Sequence, residues 1–184
     1  MRTPQDRVGP EGFRHALRLA TRAAHDDSEV LFLRFTDSPG DTMRWFLAAQ
    51  RAALAAICDS TEPARMASRP LARALLTRLD ADLSALGGDA RPVVPARTLH
   101  PMAADYLVLG SRLGTEVLRR ALIGSAPPVP VPSYFHACHG PAMWRDHCAL
   151  LNAVDPASDL ADDLTRDVIA GYDLFHAAAV AQLD

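Results

Sequence analysis

Residues 101–123 read PMAADYLVLGSRLGTEVLRRALI, a run whose apolar side chains recur at helical rather than alternating spacing. It is predicted to form one helix from about Pro101 to Ile123, ended by the prolines at Pro127, Pro128, Pro130 and Pro132. Two glycines, Gly110 and Gly114, lie in its middle. Each costs a helix interior roughly 0.8 to 1 kcal/mol relative to alanine, so the pair lowers helix stability by something on the order of 2 kcal/mol. Four residues apart, they share one face, where the missing Cβ atoms allow either a neighbouring helix or a flat ligand to approach the backbone.

The same spacing extends outward in both directions, and no convincing alternating strand longer than a few residues interrupts it, so the expected fold is all-α, a helical bundle. A first helix is expected from about Pro10 to Asp27, with Phe13, Leu17, Ala20 and Ala24 as its apolar stripe. After a less regular stretch around Leu31 to Phe35, Asp41 is the expected N-cap of a helix that turns Met43, Phe46, Leu47, Leu54 and Ile57 inward. A further helix spans roughly Leu71 to Leu86 and stops at Gly87 and Gly88. Two more run from Pro141 to about Val154 and from Pro156 to about Leu183, the last with Asp155 as N-cap. The 184 residues suit a single domain spanning 1–184.

Composition narrows the chemistry. Apolar residues make up 49% and charged residues 22%, which is ordinary globular usage. A net charge of −3, with no basic block, gives no footprint for nucleic acid or an anionic membrane. The first residues lack an apolar signal-peptide core and no apolar stretch reaches membrane-spanning length, so a cytoplasmic location is expected. Cys58, Cys138 and Cys148 form no CxxC pair and are read as packed thiols. All 19 basic residues are arginine. Without lysine there is no Schiff base, no P-loop lysine and no lysine general base, and no flavin or dinucleotide fingerprint is visible.

On the first helix Arg18, Arg22, His25 and Glu29 fall in a band beside the apolar stripe. Glu29, one turn beyond His25, is placed to accept from one imidazole nitrogen and leave the other as a metal ligand. Arg18 and Arg22 are placed to pair with carboxylates of a ligand on that histidine. Taken alone, this helix also reads as a surface helix with ordinary charge pairs. Combined with a glycine-notched helix, it makes a planar cofactor held between the two competitive.

These residues carry a family resemblance. The stretch LRLATRAAHDDSE, Leu17 to Glu29, resembles the proximal helix of heme oxygenases. YLVLGSRLG, Tyr106 to Gly114, is similar to the distal helix of their bacterial, biliverdin-producing branch, and Phe135, GPAMWR at Gly140–Arg145, Tyr172 and Phe175 follow in matching order. The resemblance implies a single-domain bundle of the heme oxygenase type with heme as cofactor and substrate. It implies His25 as the iron ligand, with Glu29 behind it, and Arg18, Arg22, Tyr106 and Arg145 as heme-binding residues. Gly110 and Gly114 would let the distal helix lie over the heme face, and Ser111 would organise distal water. Electrons would come from a ferredoxin or reductase, and a phytochrome is a conceivable recipient of the biliverdin.

The chain departs from the family at two positions: Leu109 stands where relatives carry an acid, and Thr115 where they carry a further glycine. Those departures motivate an alternative, a non-catalytic heme carrier or sensor. A third reading is a different small molecule on the scaffold shared with thiaminases and quinone-cofactor synthases. His136, Cys138 and His139 match no common zinc spacing. Asp159, Asp162, Asp163 and Asp167 read as a solvated face at the start of the last helix, and Trp45 and Trp144 as packing.

Overall fold

In a computed structural model, which describes residues 12–124, 130–137 and 141–183, the chain is all-helical. Seven α-helices are described: α1 (Gly12–Ala20), α2 (Arg22–Asp37), α3 (Pro39–Asp59), α4 (Arg69–Ala85), α5 (Pro101–Gly124), α6 (Pro141–Asn152) and α7 (Asp159–Ala181). Two short 3-10 helices, Pro63–Arg65 and Ser133–His136, fill connections. No strand occurs among the described residues, and no helix there is long and apolar enough to cross a membrane.

The helix expected from Pro10 to Asp27 is divided at Thr21 into α1 and α2, and α2 runs on to Asp37. Helical hydrogen bonds continue through Thr21, but its hydroxyl also donates to the Leu17 carbonyl at 2.9 Å, competing with the backbone donor at 3.0 Å. Such back-bonding bends helices. The buried stripe differs from the expected one: Phe13, Leu17, Thr21, Ser28 and Phe35 are buried, whereas Ala20 is exposed and Ala24 only half-buried. The stretch from Leu31 to Phe35, expected to be irregular, is helical because Phe35 docks on the core.

Two expected caps move. Pro39, lacking an N–H, takes the first position of α3, so Ser38 rather than Asp41 is its N-cap; Asp41 accepts from the Ser38 hydroxyl at 2.8 Å. At α7, Asp155 closes the preceding turn by accepting from Ala157 N, and Ser158 caps the helix by accepting from Ala161 N. The stop after α4 holds. Gly87 adopts φ +62°, and Gly88 N bonds Leu83 O at 2.9 Å while Gly87 N bonds Ser84 O at 3.1 Å. This is the left-handed exit that glycine permits.

One contiguous core joins the helices. Helix α3 is its axis: Phe46, Leu47, Leu54 and Ile57 are buried as expected, Met43 partly so, and α3 packs on α2, α4, α5 and α7. Phe35 stacks on Phe46 with centroids 4.1 Å apart, and Phe135 lies parallel to Phe46 at 5.6 Å, drawing α2, α3 and the second 3-10 helix together. Trp45 packs here too and donates from Nε1 to Ala179 O.

Buried polar groups from distant helices hold the starts of the elements. Asp167 on α7 accepts from His100 N at 2.7 Å, just before α5, and pairs with Arg97 at 3.0 Å. Being 4% exposed, Asp167 is not part of the solvated face expected of it, unlike Asp159, Asp162 and Asp163. Asp105 on α5 accepts from Ala67 N, Ser68 N and the Ser68 hydroxyl at the head of α4. Asp82 on α4 accepts from Ser133 N and Tyr134 N at the second 3-10 helix. Asn152, ending α6, accepts from Arg14 N in α1. These donors are the orphans every helix start must satisfy. At the other end of the second 3-10 helix, the buried Arg112 donates from Nη2 to Tyr134 O and Ala137 O, its guanidinium 4.8 Å from the Tyr134 ring centre.

Candidate functional site

His25 sits in the second turn of α2, at the rim of the core, with its side chain 47% exposed. Its Nδ1 lies 3.3 Å from Asp26 Oδ1 and 3.6 Å from Glu29 Oε2. The expected partner Glu29 is therefore present, but Asp26 is the nearer one. The hydrogen bond from His25 is the main reason the Asp26 carboxyl is held below the usual range. Arg22 donates to the other Asp26 oxygen at 3.4 Å, so it is engaged within its own helix. Among the described residues His25 Nε2 makes no hydrogen bond. With Nδ1 facing carboxylates, the tautomer that protonates Nδ1 leaves the Nε2 lone pair available.

The His25 ring meets Tyr172 of α7 edge to face, with centroids 5.2 Å apart. Tyr172 is hydrogen-bonded in turn to Tyr106 of α5. Burial pushes both phenols up and keeps them protonated. Helices α2 and α5 both pack on α7 without a substantial contact of their own, so the tyrosine pair links the histidine helix to the glycine helix by way of α7. On α6, Trp144 lies 5.7 Å from the Tyr106 ring and His147 6.5 Å. Arg14 and Arg18 of α1 are near enough to act electrostatically on the Tyr106 hydroxyl.

One and two turns beyond Tyr106 on α5 come Gly110 and Gly114. A Cβ built at either meets nothing within 4 Å, so no described helix packs against them. Among the described residues, close helix packing does not explain this glycine pair. Close packing is found instead at Gly171, against Leu107. The open face continues through Leu113, Val117 and Ala121, all exposed. Ser111 is half-buried beside it and donates its hydroxyl to Val108 O. Leu109 and Thr115, the two departures from the family pattern, are buried and point away from this face. Thr115 bonds Ser111 O and lies 3.4 Å from the Tyr134 hydroxyl.

The structure thus brings His25, Glu29, Tyr106 and Arg18 into one neighbourhood, with Gly110 and Gly114 next along the same helix as Tyr106. Arg145 is exposed on α6, next to Trp144. Trp144, read as packing alone, also walls Tyr106. Cys138 and His139, with Pro127 and Pro128, lie outside the described residues; Cys58 and Cys148 are free thiols. A cavity of about 370 Å³ opens between α2 and α7, lined by Ala24, Asp27, Ser28, Val30, Asp173 and His176, none of them expected from sequence as a site residue.

Three members of the site were given no site role from sequence, although Tyr172 was among the residues that carry the resemblance. Asp26 points about 100° from His25 on an ideal helix and joins it only through its side-chain torsions. Tyr172 carried a signal, its place after Gly171 in a helix with a buried stripe, but its partner is 66 residues away. His147 is buried beside Tyr106 with Nε2 lacking a hydrogen-bond partner among the described residues. Comparison with known proteins gives no match: no known family, no curated protein and no solved structure resembles the chain significantly.

Proposed function

We propose that this chain is a heme oxygenase, a bundle of that type which opens heme to biliverdin, carbon monoxide and ferrous iron using oxygen and electrons from a separate ferredoxin or reductase. The observation that carries the reading is the juxtaposition across α7: a histidine with one nitrogen held by carboxylates and the other unengaged, linked through Tyr172 and Tyr106 to the helix with the open glycine face. The donor set fits heme. His25 Nε2 would take the iron, with Asp26 and Glu29 fixing the ring. Gly110 and Gly114 leave room for a flat macrocycle, the protonated tyrosines form a dry floor, and Arg18 and Arg145 are exposed cations suited to carboxylates. Heme, when bound, supplies the oxygen chemistry, and the chain holds, orients and shields it.

The test is an absorption titration of the protein with hemin. Saturable one-to-one binding with a Soret band that His25→Ala shifts and weakens at least tenfold is expected; an unchanged spectrum and affinity in that variant overturn the ligand assignment. Adding oxygen and reductant to the complex then yields a biliverdin spectrum.

A second reading, a heme carrier or sensor, is favoured by one feature. Leu109 puts no carboxylate on α5 at the family's acidic position, and the Ser111 hydroxyl is already donated to the backbone. A Soret band that persists without biliverdin under the same conditions selects it.

A further inference from the structure

The carboxylates beside His25 converge more closely than tautomer control requires. His25, Asp26 and Glu29 each offer one ligand atom within 4.8 Å of the others, and His25 Nδ1 lies 3.3 Å from Asp26 Oδ1 and 3.6 Å from Glu29 Oε2. A first-row divalent ion with bonds of about 2.0 to 2.2 Å to nitrogen and oxygen sets neighbouring ligand atoms roughly 3 to 3.6 Å apart. We propose that His25 Nδ1, Asp26 Oδ1 and Glu29 Oε2 form a binding site for a first-row divalent cation such as Zn²⁺, Co²⁺ or Fe²⁺.

The helix fixes the ligand set, since residues 25 and 29 are one turn apart and stand on the same face. Arg22 draws on Asp26 Oδ2, which leaves Oδ1 turned towards the imidazole, as an outer partner orients a metal ligand. Two carboxylates neutralise the charge of the ion. Mixed imidazole and carboxylate donors favour a transition metal over Mg²⁺ or Ca²⁺. All three side chains are about half exposed, so water completes the coordination and the ion enters without rearrangement of the core.

This site stands without heme. Joined to the heme reading, it makes the two ligands antagonists: the cation takes the Nδ1 position whose proton that reading needs, and one imidazole serves metals on both nitrogens only by losing its last proton.

Calorimetric titration of the full chain, stripped with chelator, with Zn²⁺ tests the site. One equivalent is expected to bind, with affinity falling at least tenfold in Asp26→Asn and in Glu29→Gln and lost in His25→Ala, while circular dichroism shows all three folded. Absence of saturable binding, or binding that survives in all three variants, overturns the proposal. A parallel hemin titration separates the two readings. Hemin that fails to bind sinks the heme assignment and leaves the cation site standing; hemin affinity weakened by Zn²⁺ in wild type and unaffected by it in Asp26→Asn is the result expected if both hold.

Discussion

A methyl group at Gly171 would run into the Leu107 side chain, whereas the same group at Gly110 or Gly114 meets open space. Gly171→Ala is therefore expected to destabilise the fold by about 1 to 3 kcal/mol through overpacking. Gly110→Ala and Gly114→Ala should each stabilise the ligand-free chain by roughly 0.8 to 1 kcal/mol through helix propensity, yet weaken hemin binding. Chemical denaturation beside a hemin titration checks both; a Gly114→Ala chain that is more stable and binds hemin as wild type does would show that the open face serves something else. The sequence displayed the cost of these glycines and not its cause, because helical spacing says which residues share a face and not what lies opposite.

His147 gives the residue scale a pH dependence. Burial between Tyr106 and Trp144 lowers its pKa, and the carboxylate of Asp105 opposes that only in part. The folded chain thus resists a proton that the unfolded chain accepts at about 6.5. Stability is full above that value and falls as the pH drops from there towards the lower folded-state value, since the unfolded state binds more protons in that window. His147→Leu should flatten this acid-side slope, as measured by denaturant midpoints from pH 7.5 to 5.

At the scale of elements, helices α4, α5 and α6 were legible to within a few residues, because glycine and proline punctuate their ends. The break at Thr21 was not, since it depends on which acceptor a hydroxyl chooses. Nor was the capping in trans. Asp105 reads as a polar residue in an apolar run, and only the fold shows it satisfying three donors at the head of α4. Asp105→Ala strands those donors and is expected to cost roughly 3 kcal/mol or more. Asp105→Asn, keeping one acceptor oxygen, should cost clearly less. Thermal midpoints of the two variants compare them, and equal losses would mean that the carboxylate contributes little beyond its volume.

For the molecule as a whole, the all-α class followed from periodicity, because every helix buries one stripe in the same core. The site was legible in part. His25 and Glu29 are neighbours in sequence as in space, and Tyr106 lies on the glycine helix. What joins them, Tyr172, belongs to α7, and a contact that far along the chain leaves no local imprint.

The trans caps also spread the consequence of a local lesion. The head of α4 relies on Asp105 of α5, the second 3-10 helix on Asp82 of α4, and the start of α5 on Asp167 of α7. Damage to one carboxylate therefore surfaces as an unfinished backbone end on a different element, so the fraying that hydrogen exchange would detect lies far along the chain from the substituted residue.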